Sequence, residues 1–454
     1  MKKTITLLAI FYIVNVFATD RFVDPNLSQG NGTTLFTTIT SAVAAAVNGD
    51  RIIVTSSTYN ESDLTISKSL QIIPQISGTT INFNADIFID GFASMNLEII
   101  GFNLGIYSFR FNSTNASNNN RAKVSIIECS AKYIYNYYSF YESIIIGNTI
   151  TEGISFSYGN IINNNTKQIS LFDEPGDNNF EENFNKIIGN QVGYLIGVYN
   201  NNYPTIIANN SLRDLSFRRW NANEDIVNYI VNNEFTSNDS VLHFSTTNVP
   251  FYNIKFSNNN FIGGRFLMVN QGSSDLDAVL TKGYTISSPS ASTWLSFNYN
   301  NWMPSWSWCC NGPNGWYYIN GEDNPTKPSN HYSFYRWWEN GSDDYLNTSV
   351  PGFFEFSYNG IESTMNIPNS GSPLNFTNIQ GPVNSIDGGN PNHRYYDIDL
   401  TINDRGVNGG PYSRQNYNAY NPNNSRAFIF DLEMPVDLFP GQDIQIKAKG
   451  YHKN

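Results

Sequence analysis

The 454-residue sequence has little charge, a shortage of basic residues, four histidines and three cysteines. Charged residues make up 14% and aromatic residues 15%, which excludes a disordered chain, since disorder requires high charge and few aromatic side chains. The 26 basic and 38 acidic residues give a net charge of −12, which argues against nucleic-acid binding through basic patches. A polyanionic partner would need a local basic groove or a bridging Ca²⁺.

The cysteines have no spacing typical of a zinc site. Cys129 lies in a strand-like IIECS run, so we expect a small buried core residue. Cys309 and Cys310 are adjacent, and adjacent cysteines rarely bridge each other because the geometry is strained. A bond from Cys129 to either of them stays open.

Long apolar runs are absent except at the N-terminus, so no other segment is expected to span a membrane. Lys2 and Lys3 precede the apolar stretch 5–17, which is followed by a small residue, Ala18. This order is typical of a secretory signal peptide. We therefore expect cleavage after Ala18 and a secreted or surface-associated mature chain.

Near the N-terminus, the sequence predicts a short helix followed by two strands. Ser41 is the expected cap of an alanine-rich helix, and Val43 and Val47 form its apolar stripe. Residues 52–54 and 70–73 are short β-branched runs that suit a parallel sheet. A helix in this place would cover the open edge of the first strands.

Between residues 86 and 270, an apolar run followed by Asn-Asn or Gly-Asn recurs. Successive asparagines lie about 17 to 27 residues apart, which favours one turn of a solenoid per repeat. Asparagine suits such turns because it tolerates left-handed backbone angles, and stacked asparagines can form an amide ladder. A ligand role for these asparagines is the weaker interpretation. The repeats are 144–148, 161–165, 187–190, 206–210, 229–233 and 255–260.

Two sets of motifs resemble the pectin-lyase-like superfamily. The opening set comprises 36–39, the alanine-rich helix, 48–54 and 59–61, and it resembles the start of these β-helix proteins. The closing set, 386–411, resembles the last segment of bacterial right-handed β-helix repeat proteins. Because the superfamily includes lyases, hydrolases, esterases and adhesins, the resemblance implies a fold without choosing an activity.

The resulting fold prediction is an all-β, right-handed parallel β-helix (solenoid) with an N-terminal capping helix. The predicted divisions are a signal peptide over 1–18, the β-helix over 19–411 and C-terminal capping strands over 412–454. An aromatic-rich insertion is expected at about 294–350.

Seven of the eight tryptophans lie between residues 294 and 340. They either form a local core that holds the insertion together or lie exposed as a platform for sugar faces. The second interpretation makes six of them candidate ligand-binding residues: Trp302, Trp306, Trp308, Trp316, Trp337 and Trp338.

The densest mixed-charge patch of the predicted solenoid is 213–225. The resemblance implies that a pectate-type lyase would use a basic residue to abstract a proton, with Ca²⁺ neutralising the uronate carboxylate. The alternative is an ordinary solvated face with surface salt bridges. The catalytic candidates are Arg213, Arg218, Arg219, Asp214, Glu224 and Asp225.

Alternating oxygen-bearing side chains in the closing motif suit a hard cation. Asp397, Asp399 and Asp404 are the candidate ligands of a structural Ca²⁺, and turn formation is the alternative. No cofactor is required by the predicted function.

The sequence thus favours a non-catalytic, secreted or surface-associated protein that binds glycan or mediates adhesion. A uronate-specific polysaccharide lyase is the first alternative, and a structural envelope protein is the second. The expected partner is a polysaccharide, with no nucleic acid and no membrane span.

Overall fold

The structure is a computed structural model. It describes residues 18–112, 121–138, 140–172, 185–199, 204–219, 228–236, 240–246, 254–262, 266–270, 315–318, 335–338, 354–357, 359–361, 386–397, 399–413, 428–433 and 447–451.

The first of two long sheets contains 13 strands, all paired in parallel. From one edge to the other, the strands are Leu35–Phe36, Asp20–Val23, Arg51–Val54, Gln71–Pro74, Asn96–Ile100, Ala122–Ile127, Tyr141–Ile146, Gly159–Ile162, Asn185–Ile188, Thr205–Ala208, Asn228–Val231, Ile254–Ser257 and Phe354–Ser357.

The second sheet contains 16 strands, also paired in parallel. In chain order, they are Thr58–Tyr59, Leu64–Ile66, Ile81–Phe83, Ile87–Ile89, Phe102–Asn103, Phe109–Phe111, Ser130–Tyr135, Thr149–Phe156, Asn165–Phe172, Gln191–Tyr199, Ser211–Arg219, Glu234–Phe235, Ser240–Thr246, Asn260–Phe261, Phe266–Asn270 and Gly360–Ile361.

The chain alternates between the two sheets, and each repeat pairs with the repeat before it. The prediction of an all-β chain is confirmed: the described part has one α-helix, Ile39–Ala45, and one 3₁₀ turn, His393–Tyr395. Two antiparallel pairs form separate two-stranded sheets, Gly315–Tyr318 with Tyr335–Trp338 and Phe428–Glu433 with Lys447–Tyr451. Within the described ranges, no helix is long and apolar enough to cross a membrane.

Two apolar columns form the core between the sheets. In the first sheet, one column of isoleucines is aligned by strand register and fully buried, including Ile126, Ile145 and Ile161. In the second sheet, Ile154 and Ile169 belong to a matching column. Because each side chain packs on the same position of the next repeat, burial increases with every repeat.

The corner from the first sheet to the second contains a ladder of buried asparagines. Each amide oxygen accepts from the backbone N–H and the side-chain amide of the preceding rung, as Asn164 does from Asn148 at 2.9 Å for both. The side-chain amide also donates to a carbonyl of the preceding repeat, at 2.9 Å from Asn164 to Ile145. The rungs are Asn148, Asn164, Asn190, Asn210, Asn233, Asn259 and Asn359.

The residue before each rung explains the recurring Asn-Asn and Gly-Asn pairs. Gly189, Asn209 and Asn232 have positive φ values of 68°, 55° and 55°, a conformation that glycine and asparagine adopt most readily. The first residue of each pair therefore turns the chain, and the second points its amide into the ladder. Cys129 takes the rung position before Asn148; it is buried and unbridged, and Phe102 N–H lies 3.4 Å from its Sγ.

Asn359 stacks directly on Asn259, although the two are 100 residues apart in sequence. The strands Phe266–Asn270 and Phe354–Ser357 end one repeat and begin the next, so residues 271–353 are inserted between them. The predicted insertion at about 294–350 falls inside this range.

The helix begins earlier than the sequence suggested. Thr38, not Ser41, is the N-cap, and its hydroxyl accepts from the Ser41 N–H at 3.2 Å. Glu61 reaches back to the same end, where its carboxylate accepts from the N–H groups of Ile39 and Thr40 at 2.7 and 2.8 Å. These bonds satisfy amides that lack partners within the helix, which is why it starts at Ile39. Val47 lies beyond the helix and is exposed.

Residues 386–413, here called the closing segment, lie along the outside of the repeats. The left-handed corner asparagines hold it: Asn209 donates to Gly409 O at 2.8 Å, and Asn232 donates to Asp404 O at 2.8 Å. Asn258 accepts from the Asn390 N–H, also at 2.8 Å. Tyr395 packs on the outward-facing isoleucines of the first sheet. One segment therefore binds three consecutive repeats together.

Candidate functional site

An open cleft of about 650 Å³ lies along the second sheet. Its walls come from three stacked strands, Ile87–Ile89, Phe109–Phe111 and Ser130–Tyr135, and from the turn that follows the last of them. Its volume falls in the range of small-molecule and cofactor sites, roughly 300–1,000 Å³. We call it the tyrosine cleft, because five tyrosines line it: Tyr107, Tyr133, Tyr135, Tyr137 and Tyr138.

Two consecutive side chains of the third strand leave the core at a break in strand register. The register of Ser130–Tyr135 against the next strand shifts between Ala131 and Tyr133. Ala131 and Ile134 stay buried, while Lys132 is exposed and Tyr133 partly so. Two consecutive side chains of Ser130–Tyr135 leave the core at this irregularity, where the extra residue belongs to the neighbouring strand, Thr149–Phe156.

Asn136 fixes the turn after this strand. It is buried, its amide donates to Ser143 Oγ at 2.9 Å, and its oxygen accepts from the Tyr138 N–H at 3.0 Å. These bonds hold Tyr137 and Tyr138 at the cleft wall by a rigid turn rather than a free loop.

Charged groups of both signs meet in the cleft. Asp86 accepts from the Ser108 N–H at 2.7 Å and from Arg110 Nε at 3.0 Å. The Arg110 guanidinium lies 5.7 Å from the centroid of the Tyr135 ring, and Lys132 Nζ lies 5.4 Å from that of Tyr133. Both cations are thus within the range of cation–π attraction.

Tyr135 remains a neutral phenol in this setting. Burial, and then the neighbouring Tyr133, raise the pKa of Tyr135 to about 12, although the charge on Arg110 acts in the opposite direction. The hydroxyl can therefore donate as well as accept a hydrogen bond near neutral pH.

Aromatic rings continue from the cleft across the following repeats. Tyr137 contacts Phe172 edge to face with centroids 5.3 Å apart, and Phe172 stacks on Tyr199 at 4.9 Å and 14°. A Cβ at Gly197 would lie 2.6 Å from the Tyr199 ring, so the glycine leaves room for that ring. Because Phe172 and Tyr199 cover part of each other's faces, they present their edges to solvent. The backbone register pairs Tyr199 with Arg218 of the next strand.

The predicted catalytic patch lies partly in the same sheet. Arg213 and Asp214 are neighbours in Ser211–Arg219, with Arg213 Nε 3.3 Å from Asp214 Oδ2. Asp214 is buried, and the Arg213 guanidinium lies 5.4 Å from the centroid of Tyr194. Arg218 and Arg219 end the strand, paired with Ser245 and Thr246 of the next repeat. Glu224 and Asp225 lie outside the described residues.

Three of the predicted tryptophan ligands occur in the antiparallel hairpin of the insertion. Trp316 pairs with Trp337, and Trp338 pairs with Gly315. Trp302, Trp306 and Trp308 lie outside the described ranges. The platform hypothesis for these residues stays a prediction.

The three predicted Ca²⁺ ligands bind amides and a hydroxyl of the closing segment. Asp397 accepts from the N–H groups of Asp404 and Gly410, and Asp399 accepts from the Thr401 hydroxyl at 2.7 Å. Burial raises the pKa of Asp397, whereas the bonds from Thr401 lower that of Asp399. Among the residues with described positions, no group of three or more His, Cys, Asp or Glu side chains could hold a metal ion.

The sequence interpretation passed over the tyrosine cleft. Its signal is the run Lys132 to Tyr138, KYIYNYY, in which aromatic and other residues nearly alternate. Alternation places side chains on one face of a strand, but here the break in register shifts the phase at Lys132. Asp86 and Arg110 come from earlier repeats, and only the stacking of strands brings them to the tyrosines.

The chain was compared with protein families, curated proteins and solved structures. No family model, no curated protein and no solved structure matches it. Interpretation of the cleft therefore depends on its own geometry.

Proposed function

We propose that this chain is an exported, right-handed parallel β-helix protein of the pectin-lyase-like type that binds glycan without catalysis. The tyrosine cleft is the proposed binding site. The insertion and its tryptophans are a second proposed contact.

The observation that supports binding is the mixture of side chains in the cleft. Sugars present apolar C–H patches beside dense hydroxyl groups. Tyrosine rings suit the first, and the Tyr135 hydroxyl, Asp86 and Arg110 suit the second. Lys132 adds an exposed cation, which favours a glycan that carries some negative charge.

The pairing of two arginines with carboxylates favours a non-catalytic role. Arg110 is held by Asp86, and Arg213 lies beside Asp214. A lyase base must be able to take a proton, and a carboxylate partner keeps an arginine protonated.

The test is equilibrium binding of the mature chain to a panel of soluble neutral and uronate polysaccharides, measured by calorimetry. Tyr137→Ala is the informative variant, and Tyr194→Ala is its matched control, since both tyrosines are 45% exposed and only Tyr137 lines the cleft. We expect Tyr137→Ala to weaken binding about tenfold, or about 1.4 kcal/mol, with Tyr194→Ala unchanged.

Equal loss in both variants, or binding by neither the parent chain nor its variants, would refute the cleft as the site. Ultraviolet absorbance from unsaturated sugar ends, with and without Ca²⁺, is recorded on the same samples. Its appearance would replace the binding proposal with the lyase alternative.

A further inference from the structure

Asp50 is a fully buried carboxylate at the start of the first complete repeat. Arg21 Nε donates to it at 2.7 Å, and the N–H groups of Val47 and Thr19 each donate at 2.9 Å. Burial alone would raise the pKa of Asp50, but the Val47 and Thr19 N–H groups and the Arg21 guanidinium together lower it. The carboxylate is therefore ionised at neutral pH.

Thr19 directly precedes the first strand, Asp20–Val23, which pairs with Arg51–Val54. Its carbonyl oxygen accepts from the Arg51 N–H at 3.1 Å, so hydrogen bonds hold Thr19 through both its nitrogen and its carbonyl oxygen. Ala18, the residue before Thr19, is exposed. Removal of the signal peptide after Ala18 would therefore make the nitrogen that contacts Asp50 the new N-terminal amine.

We propose that cleavage after Ala18 converts the Thr19 nitrogen into an α-ammonium that forms an ion pair with Asp50, so that the processed chain gains a charged bond in its first repeat where the unprocessed chain has an amide hydrogen bond. Hydrolysis breaks the bond between the Ala18 carbonyl carbon and the Thr19 nitrogen. Water supplies the hydroxyl to the new carboxyl group and a proton to the amine, and the proton that this carboxyl group releases on ionising converts the amine into the ammonium. The inference rests on the proposed export and is independent of glycan binding.

The charges around Asp50 favour a second cation. Among the residues that the structure describes, Asp50 has one charged partner, Arg21. Asp20 and Arg51, the other charged groups at this edge, already pair with each other at 2.6 Å. A charge-assisted bond to a buried carboxylate is stronger than the amide bond it replaces. The precursor is accordingly less stable at its first repeat, which keeps it easier to unfold for export.

The ion pair predicts a defined pH dependence. An α-amino group has an ordinary pKa of about 7.7–8.0, and contact with Asp50 raises it in the folded state. A raised folded-state pKa gives stability that is fully present below about pH 8. That stability is lost as pH rises through the folded-state pKa.

The experiment compares two otherwise identical chains, one beginning at Thr19 and one at Ala18, each freed from a removable tag. Both carry one α-ammonium, but only the first places it against Asp50. We expect the Thr19 chain to have a thermal midpoint about 2–4 °C higher at pH 7, with the difference disappearing above about pH 10. Acylation of its α-amine should be slower by about tenfold.

Asp50→Asn should abolish the difference in acylation rate, but this variant also removes the partner of Arg21 and so endangers folding. The two-chain comparison keeps Asp50 and therefore decides the question. Equal midpoints at every pH would overturn the ion pair. A different first residue in the exported protein, read by mass spectrometry, would overturn the cleavage position. Neither result bears on glycan binding.

Discussion

At the scale of single residues, Asn190 shows how much one side chain can contribute. It is fully buried; its oxygen accepts from both nitrogens of Asn164, and its amide donates to Ile161 O and Asn210 Oδ1. Asn190→Ala leaves several of these groups buried without a partner, so we expect a loss of about 3 kcal/mol in unfolding free energy. Urea unfolding measures it. Asn165→Ala, an exposed asparagine of the neighbouring repeat, should change stability by less than about 0.5 kcal/mol.

Asn190→Asp tests the hydrogen-bond donor role of the side-chain amide separately from its acceptor role. The carboxylate can still accept from Asn164, but once ionised it cannot donate, and no cation lies near it among the described ladder contacts. Burial raises the pKa of this aspartate, so stability is present at low pH and lost as pH rises through that pKa. The variant should therefore be closer to the parent at pH 4 than at pH 7. Similar deficits at both pH values would show that the ladder does not require the amide donor.

The residue types at the corners between the sheets were predictable, because the turn and the ladder each constrain the residue at one position. A left-handed turn favours glycine or asparagine, and a ladder favours asparagine, so Gly189-Asn190 and Asn209-Asn210 carry a clear signal. The tyrosine cleft was not predictable from the same sequence. Asp86 and Tyr135 are brought together by strand register and a bulge, neither of which leaves a pattern in the intervening residues.

At the scale of elements, the closing segment acts as a clip: its hydrogen bonds hold three consecutive repeats together. Asn232 contributes most to it, since its amide donates to Asn403, Asp404 and Gly406 at 2.9, 2.8 and 3.1 Å. Asn232→Gly keeps the left-handed turn while removing these bonds. We expect faster hydrogen exchange within residues 386–413.

Asn163→Gly is the matched control for the clip. Asn163 has the same conformation, with φ of 53°, but among the described hydrogen bonds none joins its side chain to the closing segment. Its exchange pattern over residues 386–413 should stay that of the parent. Equal protection in the two variants would show that the clip is held by other contacts.

Glycine-rich turns in the closing segment were predictable from the sequence, but a contact between residues 171 positions apart was not.

At the scale of the whole molecule, continuity of the ladder predicts that the insertion is dispensable for folding. Asn359 sits on Asn259 as any rung does on its neighbour, with 2.9 Å between amide nitrogen and oxygen. Replacing residues 271–353 by a short linker, such as the five residues that join Tyr199 to Thr205, should leave the parallel sheets intact. Circular dichroism and the thermal midpoint check this. Loss of the β-sheet signal would show that the insertion is part of the core.

The asparagine ladder also gives the molecule a net dipole along the stack of repeats. Along the ladder, each amide nitrogen donates to the amide oxygen of the next rung, so the side-chain dipoles add head to tail. Sheets themselves have only small net dipoles, because successive peptide dipoles along each strand point in nearly opposite directions. An all-β protein thus acquires the polarity usually associated with an α-helix, with the positive end of the row at Asn359 and the negative end at Asn148.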